Sequence, residues 1–404
     1  MRVKISIAPL LLLLAAAGTA QAGALVKIDD DTFFSVGAQI QPAMRLSFDG
    51  ANQAPSGNFG TDFYLRRVRL LTSGQITKPV TFAFGIDMPN LGQKGDFSTA
   101  KQFLVHEAYV SYQFMENMYV DMGFFLVPWS RASIISTAQL HTLETRAPVL
   151  TLFGADKGSR ETGVQYRAIL MDKKLNMRFA ITNGIEGVNV SGKPPTNGND
   201  RPAFWGRVAY TFFGNESSFA IPGIQFSETP ILSFGVAGGY QNSASFNVNC
   251  PDGTSGATAT CTTAGATANV YGMTGDAHLE YPFSKDMEVL IDAGAYKTFA
   301  GDGDPRTALA FHAEAGFRYD SLEPVVAWEY MDTDDVLAGS LATAPVKNKS
   351  GYRAVHFGLN WWVMKHKFNI KGDFALIRAG RIGQANATAQ YNDKVAIIQS
   401  QIFF

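Results

Sequence analysis

Asp276, His278 and Glu280 stand two residues apart, as do Arg67 and Arg69. Ionisable groups at that spacing share one face of an extended strand, and the intervening side chains take the other. Such a face can line a water-filled passage and select solutes by rings of charge, or pair across strands and stiffen a wall. Covalent chemistry is not encoded: there is no Gly-x-Ser-x-Gly, His-Glu-x-x-His or phosphate-cradling Gly-rich lysine motif. His106, His141, His278, His312, His356 and His366 are scattered, and polar wall filling outweighs a catalytic base for them. Asp302-Gly303-Asp304 and Asp332-Thr333-Asp334-Asp335 do not complete a twelve-residue calcium loop, so no metal or cofactor is assigned.

The elements that must carry these charges are strands. In 80–88, Val80, Phe82, Phe84, Ile86 and Met88 alternate with Thr81, Ala83, Gly85 and Asp87, and the split recurs in 118–126, 175–182 and 271–281. Tyr271 and Tyr281 bracket the last of these, as interface girdles require. Marking every such run gives sixteen candidate strands: 32–48, 61–76, 80–89, 102–115, 118–130, 160–170, 175–184, 201–214, 231–243, 269–283, 287–300, 306–320, 324–334, 349–364, 368–380 and 391–404. Short links mostly alternate with longer ones, the habit of a bacterial barrel. Two depart from it: 215–230 is long for a turn and 301–305 is short for an outer loop. A soluble sandwich would also alternate, but its outer face would be charged. Here the apolar parity is almost free of charge, as expected where Lys or Arg facing the bilayer midplane costs about 2–4 kcal/mol. The fold class is therefore all-β, a transmembrane antiparallel barrel.

Parity assigns the lining. The basic inward positions are Arg45, Arg67, Arg69, Arg167, Arg178, Arg207, Arg318 and Lys371. The acidic ones are Asp87, Glu107, Asp121, Glu161, Asp276, Glu280, Glu288, Asp292, Glu314, Glu329 and Asp373. Acids outnumber bases, so no net cationic lumen is expected. Six of the arginines lie on strands 32–48, 61–76, 160–170, 175–184 and 201–214, and acids dominate from 269 to 334. Opposed walls of charge would set a transverse field that orders water and favours small polar solutes.

The chain opens as a secretory signal over 1–22: Arg2 and Lys4, an apolar centre at Leu10 to Ala17, and a small-residue site at Ala20-Gln21-Ala22. The mature barrel is then 23–404. Loss of Arg2 and Lys4 moves the formal charge from −1 to −3, which gives no reason to expect a nucleic-acid partner. Beyond the signal no run of about 18 apolar residues forms a helical span. Charged residues are 17%, below the ~25% of soluble domains. Cys250 and Cys261, the two cysteines, bracket a turn-rich stretch and read as a disulfide stapling one loop of an exported protein.

The last strand places Ala396, Ile398, Ser400, Ile402 and Phe404 on one face, and a terminal aromatic there resembles the targeting signal of outer-membrane barrels. At Phe63-Tyr64-Leu65-Arg66-Arg67-Val68-Arg69-Leu70 the chain resembles the phosphate-selective porin O and P family, whose early strand carries a similar Phe-x-x-Arg-Arg-x-Arg segment. Glu107-Ala108-Tyr109-Val110-Ser111-Tyr112 and Met122-Gly123-Phe124-Phe125-Leu126-Val127-Pro128-Trp129-Ser130 are similar to further family segments. The resemblance implies a sixteen-stranded trimer whose long third loop folds into the lumen, with phosphate selectivity from arginine ladders and a lysine cluster. That loop would be 131–159, with Arg131, Glu144 and Arg146 as its constriction charges and Ile134, Ile135, Leu140 and Leu143 among residues able to pack inside a wall. The fifth outer loop, 244–268, contains no Lys or Arg. The expectation is an outer-membrane porin, embedded in outer-membrane lipid as a homotrimer, passing small polar or ionic solutes, including anions such as phosphate. A structural or adhesive barrel and a barrel enzyme are the alternatives.

Overall fold

The structure is a computed structural model of the 404-residue chain and describes residues 23–48, 60–93, 103–146, 159–184, 201–245, 267–300, 307–337, 346–380 and 390–404. The candidate signal at 1–22 and the cysteine pair lie outside the described residues, as does 147–158 of the third loop.

Seventeen strands follow one another: β1 (Ala24–Lys27), β2 (Phe33–Phe48), β3 (Gly60–Thr77), β4 (Val80–Asp87), β5 (Leu104–Met115), β6 (Met118–Leu126), β7 (Arg160–Leu170), β8 (Leu175–Thr182), β9 (Ala203–Phe213), β10 (Ile231–Ser245), β11 (Thr267–Ser284), β12 (Met287–Phe299), β13 (Ala308–Tyr319), β14 (Leu322–Leu337), β15 (Val346–Trp361), β16 (Phe368–Gly380) and β17 (Gln390–Phe403). From β2 to β17 each strand pairs antiparallel with the next, and β17 pairs with β2 to close a sixteen-stranded barrel. Closure removes the free edges that would otherwise leave backbone groups unpaired in lipid.

β1 is the strand that alternation could not reveal, since four residues give too short a pattern. It pairs with Phe33–Val36 of β2, while β17 pairs with Gln39–Phe48. β3 occupies the other edge of β2 over Phe33–Ser47, so β1 takes the edge that β17 leaves beyond its end. At the junction Ala38 and Phe404 exchange two backbone hydrogen bonds, 2.7 and 3.0 Å.

The period-two pattern sorts into two surfaces as expected. On β8, Asn176, Arg178, Ala180 and Thr182 are buried while Phe179 and Ile181 are exposed. On β10 and β11, Phe234, Val236 and Met273 are exposed by 51%, 65% and 60%. An apolar belt of this extent is a liability in water and fits hydrocarbon. The barrel is filled from within. Phe125, Val127, Trp129, Trp205, Val270 and Tyr296 form a core cluster inside the wall, with the Trp129 and Tyr296 rings 5.3 Å apart. Two chain segments supply that filling, and they build the site.

Candidate pore lumen and constriction

The first inserted segment is the third loop. Past β6, Ser130 and Ser133 cap each other, each backbone N–H donating to the other's hydroxyl at 3.1 and 3.0 Å. The Ser133 hydroxyl donates to the Val127 carbonyl at 2.9 Å and folds the chain back inward through a 3-10 turn at Ala132–Ile134. Ile134, Ile135, Leu140 and Leu143 are all buried, in keeping with the apolar content of this loop.

Its cations dock on the acidic side of the barrel. Arg131 donates to Glu216 at 2.7 Å and to Asp292 at 2.5 Å, and its backbone N–H donates to Asp276 at 2.8 Å. Burial opposes the charge on Arg131, but Glu216 and Asp292 outweigh it and hold the guanidinium above its ordinary pKa. His141 lies 2.7 Å from Glu323 and 3.5 Å from Glu314. Burial lowers its pKa, Glu323 and Glu314 raise it more, and the result is about 10. Arg146 reaches Glu314 at 2.9 Å and Glu329 at 3.1 Å. Lys371 on β16 completes this side, donating to the carbonyls of Leu140 and Thr142 at 2.5 and 3.2 Å.

On the opposite side the described part of the loop offers one carboxylate. Glu144 accepts from Arg66 and from Arg67, the latter at 2.6 Å. Burial would raise the Glu144 pKa, but the two guanidiniums bring it to about 2. Arg66 takes part because β3 carries a bulge: Gln41 faces Arg67, Pro42 faces Leu65, and Arg66 between them is unpaired in the ladder. A bulge breaks strict alternation and turns an extra side chain to the same side. Parity therefore assigned only Arg67 and Arg69 to the lumen. Arg69 pairs with Asp87 at 2.8 Å and donates to Thr137 of the loop.

The second inserted segment is the link 214–230 between β9 and β10, on the short-turn end of the barrel. It crosses the lumen as a strap. Ile221 pairs in parallel with Ile135, its N–H donating to Ile134 at 2.9 Å, and Ser136 donates to the Ile221 carbonyl at 3.0 Å. At Gly223 a Cβ would lie 2.7 Å from the Gln139 carbonyl and 2.8 Å from the His141 nitrogen, so only glycine lets the two backbones approach. The tip, Phe226, has a φ of +53° and wedges edge-on between Trp362 and His366, with centroids 5.1 Å away in each case. Backbone N–H groups of Gln225 and Ser227 donate to Glu280 at 2.8 and 2.7 Å. Glu216, at the strap's root, is buried, which would raise its pKa, but Arg131 and His278 lower it to about 2.

Arginine forms a row across three neighbouring strands: Arg167 is in register with Arg178, and Arg178 with Arg207. Like charges in register repel. Asp121 neutralises Arg167 at 3.2 Å and Asp276 neutralises Arg207 at 2.5 Å. Arg178 has no carboxylate in its hydrogen-bond set; it donates to Asn176 and to the strap carbonyls of Ser218 and Phe219, at 3.1, 2.9 and 2.7 Å.

Among the described residues the inserted chain leaves water-accessible spaces. A cavity of about 290 Å³ runs along β2 to β5 and is bounded inside by loop residues Ser136 to Gln139 and strap residues Ser218 to Ala220, with Arg69, Glu107 and Arg160 on its wall. A second, of about 260 Å³, lies on the long-loop side against Arg45, Glu144, Arg146, Glu329, His356 and Asp373. The expected inward positions Arg67, Arg69, Arg167, Arg178, Arg207, Asp87, Asp121, Asp276, Glu280 and Asp292 are all buried inside the barrel. Arg45 lines the second cavity and Glu107 the first. Arg66, Arg160, Glu216 and Glu323 were not on the expected lining. Glu323 lies one residue outside the strand expected at 324–334, and Glu216 lies in the link 215–230, which is long for a turn and to which strand parity assigns no lining. The strap's run Phe219-Ala220-Ile221-Pro222, with Ile224 and Phe226, carries the apolar signal that marked the third loop as inserted. No group of three or more His, Cys, Asp or Glu side chains suited to a metal occurs among the described residues.

Against known proteins, residues 39–404 match the family of phosphate-selective porin O and P. The chain belongs to that family. A search of the curated proteins gives no match. Solved structures share the fold. An anion-selective porin from Comamonas acidovorans is 13% identical with a TM-score of 0.52, covering 93% of this chain and all of that one. The outer membrane channel DcaP of Acinetobacter baumannii is 12% identical with a TM-score of 0.55, covering 94% and 99%. Salmonella typhi OmpF in complex with daunomycin is 11% identical with a TM-score of 0.57, covering 94% and 100%. The protein is an outer-membrane porin, a passive diffusion channel built on a sixteen-stranded barrel.

Proposed function

We propose that this porin passes small polar and ionic solutes, anions including phosphate among them, through a lumen whose fixed charges are mostly paired. The observation that carries the reading is the constriction itself, where Glu144 bridges to Arg66 and Arg67 beside the Arg69–Asp87 pair. A constriction of paired charges offers donors and acceptors to a hydrated solute without a deep well for one ion, so passage stays quick. Support for anions comes from the family's description and from the anion-selective porin of similar fold. In this reading Arg45, Arg67, Arg69, Arg167, Arg178 and Arg207 act as basic lining, Asp87, Glu107, Asp121, Asp276, Glu280 and Asp292 as acidic lining, and Arg131, Glu144 and Arg146 as charges of the constriction loop.

The same reading takes residues 1–22 as a cleaved signal, 23–404 as the mature barrel in outer-membrane lipid, Cys250 and Cys261 as a stapled pair, and the working unit as a homotrimer. A channel, not an enzyme, is the role. The test is planar-bilayer recording of purified protein with reversal potentials in a salt gradient. Wild type is expected to conduct, and Arg67→Ala with Arg69→Ala to shift preference towards cations, since Glu144 and Asp87 then face the lumen less compensated. A folded protein that never conducts sinks the pore reading.

A further inference from the structure

We infer that the strap between β9 and β10 sets the charge selectivity of the pore by covering the arginine row. The inference rests on the pore reading above. Three observations carry it. Arg178, the middle member of the row, is fully buried and has no carboxylate partner among the described residues, although Arg167 and Arg207 flank it in register. Its charge is met by the Ser218 and Phe219 carbonyl oxygens, partial negative charges supplied by the strap. The Phe219 ring lies 5.0 Å from the Arg167 guanidinium and 5.6 Å from that of Arg178, and stacks on Tyr109 at 4.4 Å. That ring and Tyr109 both line the 290 Å³ cavity, so Phe219 is the strap's aromatic cover between the row and the water-accessible space.

A face of Phe over guanidinium satisfies a cation and excludes water from it. With the strap in place a solute in the cavity meets Phe219, Arg69 and the Arg160–Glu107 pair, at 3.0 Å, and not the row of Arg167, Arg178 and Arg207. Without it, Arg178 would face water with one uncompensated positive charge, and chloride or phosphate would concentrate beside it. The cover is held at its far end by Phe226, whose left-handed backbone is strained for a residue with a Cβ and is kept by the Trp362 and His366 rings. A simple turn joining β9 to β10 would need neither this strain nor the glycine at 223.

Residues 218–226 contain no ionisable side chain, which makes the test clean. In the full-length protein, replacing 218–226 by Asn-Gly keeps Glu216 and Glu228 and changes no formal charge. Planar bilayers in a potassium chloride gradient then report conductance and reversal potential, with heat-modifiable electrophoretic mobility confirming a folded barrel. The expected result is a severalfold rise in conductance with the reversal potential displaced towards chloride. Adding Arg178→Ala to the same variant is expected to return most of that displacement. Phe219→Ala, which leaves the backbone carbonyls in place, is expected to give a smaller displacement in the same direction and serves if the shortened link does not fold. Higher conductance with an unchanged reversal potential would overturn the inference, because the strap would then be an obstruction and no shield. Unchanged values of both would overturn it by placing the strap off the route. A silent wild-type protein would be a failure of the pore reading, recognisable before any variant is compared.

Discussion

The acidic wall, β11 to β14, and the arginine wall, β3 with β7 to β9, meet the inserted chain in opposite ways. Carboxylates of the acidic wall are bound by charged side chains of the third loop, Arg131, His141 and Arg146. Arginines of the other wall are neutralised mainly by carboxylates of nearby strands, Arg69 by Asp87 of β4, Arg167 by Asp121 of β6 and Arg207 by Asp276 of β11, and touch the inserts through Glu144, the Thr137 hydroxyl and neutral carbonyls. The loop is thus pulled towards the acids, leaving one cavity on the far side against β2 to β5 and another of similar size bounded by Arg146 and Glu329. A transverse field between bare walls was the expectation from sequence. Much of that field ends instead on inserted cations, so the acidic wall works as a dock for the loop.

The contrast can be broken most forcefully at Arg131. Arg131→Ala leaves Glu216 and Asp292 buried without their partner, and losing one member of a buried pair costs about 3–5 kcal/mol. Denaturant unfolding in detergent should register that loss, together with noisier single-channel current as the loop loosens. A change below about 1 kcal/mol would show that the dock is not what holds the loop. Glu144→Gln, on the other wall, should be milder, about 1.5–3 kcal/mol for hydrogen bonds to charged groups, and should move the reversal potential towards anions as Arg66 and Arg67 lose their countercharge.

Titration should separate the two anchors. His141 has a pKa raised to about 10, so its contribution is complete below its ordinary value of 6.5 and is lost as pH rises through about 10. Glu144 has a pKa lowered to about 2, so its contribution is complete above 4.5 and is lost as pH falls towards 2. Conductance of a His141→Gln variant should therefore differ from wild type at pH 6 and converge on it beyond pH ~10; Glu144→Gln should converge at the acid end. The smallest effect is expected at an exposed pair outside both walls. Lys285→Ala, which removes a 4.0 Å contact with Asp286, should change stability by less than about 1 kcal/mol and leave conduction alone.

How much of this was legible in the sequence depended on periodicity. Strand identity followed from alternation because lipid on one side and polar filling on the other impose a strict period of two on every crossing. The assignments of Arg178, Arg207, Asp276 and Asp292 to the lumen rest on nothing else. The reading failed where the period breaks. The bulge at Arg66 inverts the parity of the rest of β3, turning Tyr64 inward and Phe63 outward; β1 is too short to display a period, and the strap follows no period at all. Apolar content was the one signal that could have exposed the strap, and it was applied to 131–159 alone. What no local pattern carries is the pairing of Arg131 with Asp292, 161 positions away, or of Arg146 with Glu329, 183 positions away.

The seam at Ala38 and Phe404 bears on the order in which the barrel can be made. Of the sixteen strands of the wall, the one that closes it, β17, is the last in chain order and its partner β2 is the first. Hairpins from β2 to β16 can assemble by local contacts, but closure must bring together residues over 360 positions apart, such as Gln39 and Phe403. Contacts of that separation form slowly. Until they do, β2 keeps an open edge able to recruit a strand from another chain, and pairing with β17 is what removes that edge.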